Sequence, residues 1–322
     1  MALDDTITGL HHITVIAGEP QENLDFYAGV LGMRLVKKTV NQDVPGTYHL
    51  FYADGVGHAG TDLTFFPWPD MPPGQIGVGL TVEVALAVPA DSLGYWTDRL
   101  QHSGIEVSQP TLRFGERLLT LADPHGLQLA LVETADDRAF TAWADGPVPE
   151  AMQVRGLHSV RLLERSAAPT VDLLTRTLGF DEIGQEDGWR RFALAGARSG
   201  RVLDIKETPL ERQGSWGTGS VHHIAWRVPD DATELKVQDR LQHAGRRPTP
   251  VIDRFWFKSV YFREPGGALF EVATDGPGFG VDETMEQLGT RLVLPPWLEP
   301  KRAAIEAGLQ PLRNPETASS RR

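Results

Sequence analysis

Histidines occur as adjacent pairs at two places in this sequence, and such pairs are candidates for metal coordination. His11 and His12 lie in the stretch GLHHIT, and His222 and His223 lie in VHHIA. Adjacent side chains of a β-strand point to opposite faces, so one histidine of each pair can face a shared site. The chain has ten histidines and no cysteine, so any metal would be held mainly by His, Asp and Glu.

Composition narrows the class of protein further. The absence of cysteine excludes disulfides, thiolate nucleophiles and cysteine-zinc sites. A net charge of −12 without a basic block before the last residues argues against a nucleic-acid partner. No apolar run is long enough to span a membrane, and the first residues lack a signal-peptide pattern, so we expect a cytoplasmic protein.

An internal repeat organises the 322 residues. The hexamer RLQHSG that starts at Arg99 recurs as RLQHAG from Arg240, and the same offset brings Arg113 onto Arg254. Each half reads as two units in which one strand, one helix and about three strands follow one another. We therefore predict an α+β fold of four βαβββ units, near residues 8–70, 78–135, 154–208 and 220–275.

These units predict two tandem domains and a C-terminal extension. The N-terminal domain would span residues 1–140 and the C-terminal domain residues 150–280. Residues 281–322 would form the extension, with a short helix near 299–309 and a disordered tail.

Equivalent positions of the four units can be compared within the chain. The first-strand position holds His12, Glu83, Ser159 and His223 in turn, and the last-strand position holds Thr64, Ala130, Asp204 and Glu271. Only the first and last units together supply two histidines and one carboxylate: His12, His223 and Glu271. We predict that these two units pair around a metal and that units two and three pair around a degenerate centre with solvated or salt-bridged carboxylates.

Two imidazoles and one carboxylate suit particular metals. Such a set leaves open positions on the opposite side of the ion, which is typical of iron(II) oxygenases. Manganese(II) suits the same ligands, whereas zinc usually favours four-coordination. Whether the units pair within one chain or across a homo-oligomer stays open.

The chain resembles the vicinal oxygen chelate family, which includes glyoxalase I, extradiol dioxygenases and resistance proteins. Within it the chain is most similar to the hydroquinone ring-cleaving dioxygenases. The resemblance covers nearly the whole chain and rests on GLHHIT from Gly9, YHLFYAD from Tyr48, RQGSW from Arg212, VHH from Val221 and the segment 261–271. It implies the same iron ligands, because that group takes them from its first and last units.

The resemblance also implies roles around the metal for His11, Thr14, His222, Arg254 and Tyr261. Tyr261 would hydrogen-bond a substrate oxygen, and Arg254 would stabilise negative charge on a phenolate or ring-opened product. The alternatives are a core tyrosine, a surface salt bridge for Arg254, and hydrogen bonds inside the fold for the other three.

The implied activity is an iron(II)-dependent, extradiol-type ring-cleaving dioxygenase that acts on a small aromatic diol, a substituted hydroquinone, with dioxygen. One alternative on the same fold is a glyoxalase-like lyase or isomerase with a non-redox metal. Another is a non-catalytic small-molecule-binding resistance protein, which has no need of the His/His/Glu set. The ring substituents are not specified by the sequence.

Overall fold

Two curved eight-stranded β-sheets dominate the computed structural model, which describes residues 6–135 and 138–313. Each of the four predicted units contributes one strand, one helix and three more strands. The predicted α+β class is therefore confirmed.

The helices and strands follow the same order in each unit. Unit 1 contains β1 (Gly9–Ala17), α1 (Pro20–Leu24), β2 (Arg34–Val40), β3 (Tyr48–Ala53) and β4 (Asp62–Pro67). Unit 2 contains β5 (Leu80–Pro89), α2 (Leu93–His102), β6 (Thr111–Arg113), β7 (Glu116–Ala122) and β8 (Gln128–Thr134). Unit 3 contains β9 (Gly156–Glu164), α3 (Ala168–Arg176), β10 (Asp181–Glu186), β11 (Trp189–Ala193) and β12 (Val202–Glu207). Unit 4 contains β13 (Val221–Val228), α4 (Asp231–His243), β14 (Ile252–Asp253), β15 (Lys258–Arg263) and β16 (Leu269–Thr274).

The sheets combine units from opposite halves of the chain. One sheet, the 1/4 sheet, has the order β14-β15-β16-β13-β1-β4-β3-β2, and the 2/3 sheet has the order β10-β11-β12-β9-β5-β8-β7-β6. The first strands of the paired units run antiparallel side by side, β1 with β13 and β5 with β9. Units one and four thus pair within one chain, while the domain boundaries near residues 140–150 stay a prediction.

Strand register confirms the equivalences drawn between the units. In the 1/4 sheet, Ala225 lies opposite His12 on one neighbouring strand and opposite Glu271 on the other. In the 2/3 sheet, Arg161 lies opposite Glu83 and Asp204 in the same way. These triplets are His12–Ala225–Glu271 in the 1/4 sheet and Glu83–Arg161–Asp204 in the 2/3 sheet. Because side chains alternate along a strand, each triplet lies on one face of its sheet.

The C-terminal extension packs against unit 1. Its predicted helix is present as a 3₁₀ turn, Glu299–Lys301, followed by α5 (Arg302–Gly308). The predicted disordered tail, from residue 314 onward, lies outside the described residues. Lys37 of β2 is fully buried and forms ion pairs with Asp282 and Glu283 of the extension. Across the two described ranges, no helix is long and apolar enough to cross a membrane.

Two buried glutamates meet where the sheets contact each other. Glu264, in the turn between β15 and β16, accepts hydrogen bonds from the Thr170 hydroxyl at 2.6 Å and from the backbone N–H groups of Gly266 and Ala268 at 2.8 and 2.7 Å. These donors bond to both carboxylate oxygens of Glu264. Burial, together with the neighbouring Glu264 carboxylate, raises the pKa of Glu164 to about 8. The folded protein therefore holds a proton on Glu164 at neutral pH.

This pair predicts that stability falls as the pH rises from mildly acid to mildly alkaline. Because the pKa of Glu164 rises on folding from 4.5 to about 8, the free energy of unfolding should fall as the pH increases through that interval. Glu164→Gln mimics the protonated carboxyl, so it should remove on the order of 2 kcal/mol of this fall. Urea unfolding of both proteins near pH 5.5 and near pH 8.5 measures the difference. Glu182→Gln, at an exposed ion pair with Arg190, is the control and should leave the fall unchanged; an equal fall in Glu164→Gln contradicts the assignment.

Candidate metal centre

Three buried side chains from distant parts of the sequence converge inside the 1/4 sheet. His12 Nε2 lies 3.2 Å from His223 Nε2 and 3.4 Å from Glu271 Oε2, and His223 Nε2 lies 3.0 Å from the same oxygen. None of the three residues is more than 4% exposed. The fold thus assembles the predicted ligand set from β1, β13 and β16, and among the described residues it is the one such cluster of three or more potential ligands.

The separations and the missing partners fit a metal ion. Ligand atoms that share an ion at about 2.1 Å and meet at right angles lie about 3.0 Å apart. Glu271 Oε1 accepts a hydrogen bond of 2.5 Å from the Ser259 hydroxyl, whereas the buried Oε2 has no hydrogen-bond partner. Two imidazole lone pairs and a carboxylate oxygen that face one another repel unless a cation lies between them.

His11 fixes the tautomer that His12 needs as a ligand. His11 Nε2 donates to the Thr274 carbonyl at 3.1 Å, because a carbonyl oxygen can only accept. Burial, followed by the neighbouring His12, lowers the pKa of His11 to about 3, so its ring is neutral and Nδ1 is an acceptor. The 2.8 Å contact between the two Nδ1 atoms then requires His12 Nδ1 to donate. In a neutral His12 ring, Nε2 then has the lone pair, which is directed at Glu271 and His223 and is available to a metal.

The second histidine pair repeats this arrangement. His222 Nδ1 lies 2.8 Å from His223 Nδ1, and burial lowers the pKa of His222 to about 3. Burial also lowers the pKa of His223. If His223 Nε2 binds a metal, its Nδ1 must donate to His222, and His222 then carries its hydrogen on Nε2.

The carboxylate of Glu271 is ionised in this setting. Burial alone would raise the pKa of Glu271, but the protonated forms of the His12 and His223 imidazoles hold it well below its usual range, and a cation bound between the neutral rings would act in the same direction. One negative charge beside two neutral imidazoles would offset part of the charge of a divalent cation.

A cavity of about 370 Å³ opens onto the two candidate imidazole ligands. Its walls are mostly aromatic and apolar, and its rim carries polar residues. The aromatic and aliphatic members are Val44, Phe51, Phe66, Trp68, Trp256, Phe257, Tyr261 and Leu269. A cavity of this size and character suits a small aromatic molecule.

Tyr261 and Arg254 both line the cavity, as the predicted roles require. The Tyr261 ring meets the His223 ring edge-on with centroids 5.7 Å apart, and its hydroxyl accepts from Arg254 Nε at 3.3 Å. Burial and the nearby Glu271 raise the pKa of Tyr261, so the phenol keeps its proton at neutral pH. Arg254 also forms an ion pair with Asp43.

The remaining predicted residues divide between the cavity and the layer behind it. His222 lines the cavity and packs against Trp216 with ring centroids 4.7 Å apart. His11 lies behind His12, and Thr14 bonds to Thr64 at 2.7 Å, so neither is part of the cavity lining. The catalytic roles of these residues stay predictions.

Sequence reasoning missed three residues of this region. His49 lines the cavity and its Nε2 lies 2.9 Å from the Thr64 hydroxyl. Ser259 holds the Glu271 carboxylate, and Asp43 contacts Arg254 at the cavity rim. Strand alternation could have found His49 and Ser259. His49 lies two residues before Phe51, and Ser259 lies two residues before Tyr261, so each shares a strand face with another residue of the site. Asp43 lies in a loop without such a signal.

Arginines occupy the corresponding region of the 2/3 sheet. Arg191 donates to Asp204 through Nε at 2.8 Å and through a terminal nitrogen at 3.1 Å, and Arg161 Nε lies 3.7 Å from the same carboxylate. Glu83 pairs with Arg113 at 2.5 Å. The expected salt-bridged carboxylates are therefore present at the degenerate centre.

The chain is similar to known proteins over nearly its whole length. The sequence profile of the Glyoxalase/Bleomycin resistance protein/Dioxygenase superfamily matches residues 9–131 and 156–272. The Bacillus subtilis (strain 168) protein named as ring-cleaving dioxygenase MhqO is 46% identical over 94% of this chain and 96% of its own length. The chlorohydroquinone/hydroquinone 1,2-dioxygenase of Sphingobium indicum is 33% identical over 93% of this chain and 95% of its own length.

Solved structures show the same fold. A crystal structure from Bacillus subtilis, named as a dioxygenase, superimposes with a TM-score of 0.92 at 44% identity and covers 97% of this chain and 99% of its own. Glyoxalase I from Zea mays has a TM-score of 0.63 at 16% identity over 83% of this chain and 92% of its own, which shows the fold alone. The chain therefore belongs to the glyoxalase/bleomycin resistance protein/dioxygenase superfamily and has its vicinal oxygen chelate fold.

Proposed function

We propose that this protein is an iron(II)-dependent, extradiol-type dioxygenase that opens the ring of an aromatic diol, a substituted hydroquinone. The observation that carries the proposal is the convergence of His12 Nε2, His223 Nε2 and Glu271 Oε2 beside an aromatic-walled cavity. The names of two relatives support the same activity: one is called a ring-cleaving dioxygenase and the other a chlorohydroquinone/hydroquinone 1,2-dioxygenase.

The residues that would hold the ion are His12, His223 and Glu271. When bound, iron(II) would supply the redox chemistry that a reaction with dioxygen requires. A facial set of two imidazoles and a carboxylate is the donor arrangement of non-haem iron(II) oxygenases, whereas zinc is usually four-coordinate. Manganese(II) remains compatible with these ligands.

The chain's own groups bind and orient the diol. The aromatic walls exclude water and pack against a six-membered ring. The Tyr261 phenol, which keeps its proton, can donate to a ring oxygen, and Arg254 can stabilise negative charge that develops beside it. His222 would offer its Nε2–H to a group bound in the cavity that it lines.

Oxygen consumption tests the activity itself. The purified chain, loaded with iron(II) without air and mixed with methylhydroquinone and aerated buffer, should take up oxygen faster than autoxidation. A ring-opened product should appear in the ultraviolet spectrum at the same time. A glyoxalase-like enzyme or a binding protein would consume no oxygen, so no uptake across a panel of hydroquinones and catechols would refute the proposal.

Removal of a single ligand should release the metal. His12→Ala, His223→Ala and Glu271→Ala should each lower bound iron at least about tenfold, because two remaining ligands hold the ion weakly. Metal analysis after gel filtration measures the content. His102→Ala, at an exposed position on α2, is the control and should keep full occupancy. Full occupancy in the three ligand variants would show that the ion binds elsewhere.

The Tyr261 hydroxyl should matter for turnover but not for metal binding. Tyr261→Phe should keep its iron and lose about tenfold or more in kcat, because a donor to the ring oxygen is removed. Tyr48→Phe is the matched control, since the Tyr48 hydroxyl donates to the Gln310 carbonyl at 2.8 Å and is not part of the cavity lining. Equal kcat in both variants and the unmodified chain would remove Tyr261 from the mechanism.

A further inference from the structure

The loop between β2 and β3 forms part of the cavity rim. Its residues Asn41, Gln42, Asp43 and Val44 all line the cavity. The Asn41 side-chain oxygen accepts hydrogen bonds from the backbone N–H groups of Asp43 at 2.9 Å and Val44 at 3.1 Å. This local turn holds the backbone of Asp43 and Val44 in place at the cavity.

Asp43 and Gln42 attach this loop of unit 1 to Arg254 of unit 4. The two terminal nitrogens of Arg254 lie 3.1 and 3.4 Å from the two Asp43 carboxylate oxygens, and the Gln42 amide donates to the Arg254 carbonyl at 2.9 Å. Arg254 is largely buried, with a side chain 17% exposed, whereas the Asp43 side chain is 73% exposed. Solvent reaches the carboxylate more easily than the guanidinium, so Asp43 caps the outer side of Arg254.

These two residues are the charged side chains other than histidine that line the cavity. Among the described residues that line the cavity, Arg254 is the one lysine or arginine and Asp43 the one aspartate or glutamate. A carboxylate on a bound ring would therefore find the one arginine of the described cavity lining already paired with Asp43. It would also approach a like charge at the rim.

We propose that Asp43 is a specificity determinant that excludes carboxylated aromatic diols by occupying the guanidinium of Arg254. Diols with an apolar substituent have no charge to pair and remain accepted by the aromatic walls. The choice of aromatic diols as ligands rests on the proposed function, but the selection acts on binding and does not need turnover.

Two ligands that differ in one substituent test this selection. Methylhydroquinone and 2,5-dihydroxybenzoate carry a methyl group or a carboxylate at the same ring position. Their dissociation constants for the iron(II)-loaded full chain can be measured without oxygen by quenching of tryptophan fluorescence, since Trp68 and Trp256 line the cavity. Asp43→Asn should tighten binding of 2,5-dihydroxybenzoate by about tenfold or more, the scale of a charge-assisted hydrogen bond, and change methylhydroquinone binding less than about threefold.

Two further variants separate this role from a general change of charge or fold. Asp172→Asn removes the same charge from an exposed ion pair with Arg176 on α3 and should leave both affinities unchanged. Adding Arg254→Gln to Asp43→Asn should abolish the gain for 2,5-dihydroxybenzoate, because the released guanidinium is then absent.

The outcomes distinguish this inference from the proposed function. The predicted change in ligand preference without oxygen uptake would refute the dioxygenase and support the role of Asp43. Unchanged affinity of Asp43→Asn for 2,5-dihydroxybenzoate would overturn the role of Asp43, whether or not oxygen is consumed. A gain that persists after Arg254→Gln would overturn it as well.

Discussion

The buried carboxylate of Glu271 needs a compensating positive charge, and the centre of the 1/4 sheet is arranged around this need. It is fully buried, and its Oε2 faces two imidazole nitrogens and no hydrogen-bond donor. A charge in this position is stable only with a compensating partner, and the proposed metal cation, held between the rings of His12 and His223, would be that partner. The antiparallel pairing of β1 with β13 brings the two histidines together, although they are 211 residues apart in the sequence.

In the 2/3 sheet, arginine side chains compensate the corresponding buried carboxylate. Asp204 occupies the position of Glu271 and is equally buried, but Arg191 and Arg161 neutralise it directly. Arg191 lies directly opposite Asp204 on the neighbouring strand, and Tyr261 lies directly opposite Glu271 in the same way in the 1/4 sheet. In the 2/3 sheet the guanidinium groups of Arg191 and Arg161 form a salt-bridge network with Asp204. In the 1/4 sheet the position of Arg191 is held by the phenol of Tyr261, and the groups around Glu271 remain able to bind a ligand.

The sequence predicts most of the candidate centre because strands have a period of two. Once the internal repeat aligns the four units, alternation decides which residue of each His-His pair shares a face with Glu271. The pairing of units one and four follows from the distribution of ligands among the units. The contact between Asp43 and Arg254 could not be predicted, because a loop residue has no periodic pattern and its partner lies on another unit. The π-helical turn Asp25–Val30 after α1 likewise has no signature in the helical spacing of the sequence.

Anomalous diffraction at the iron absorption edge, from crystals grown without air with one equivalent of iron(II), tests the central claim most directly. We predict one strong peak within bonding distance of His12 Nε2, His223 Nε2 and Glu271, and no peak beside Asp204 in the 2/3 sheet. Iron bound at a different set of residues, or stoichiometric iron with no peak between the two histidine pairs, would contradict the account.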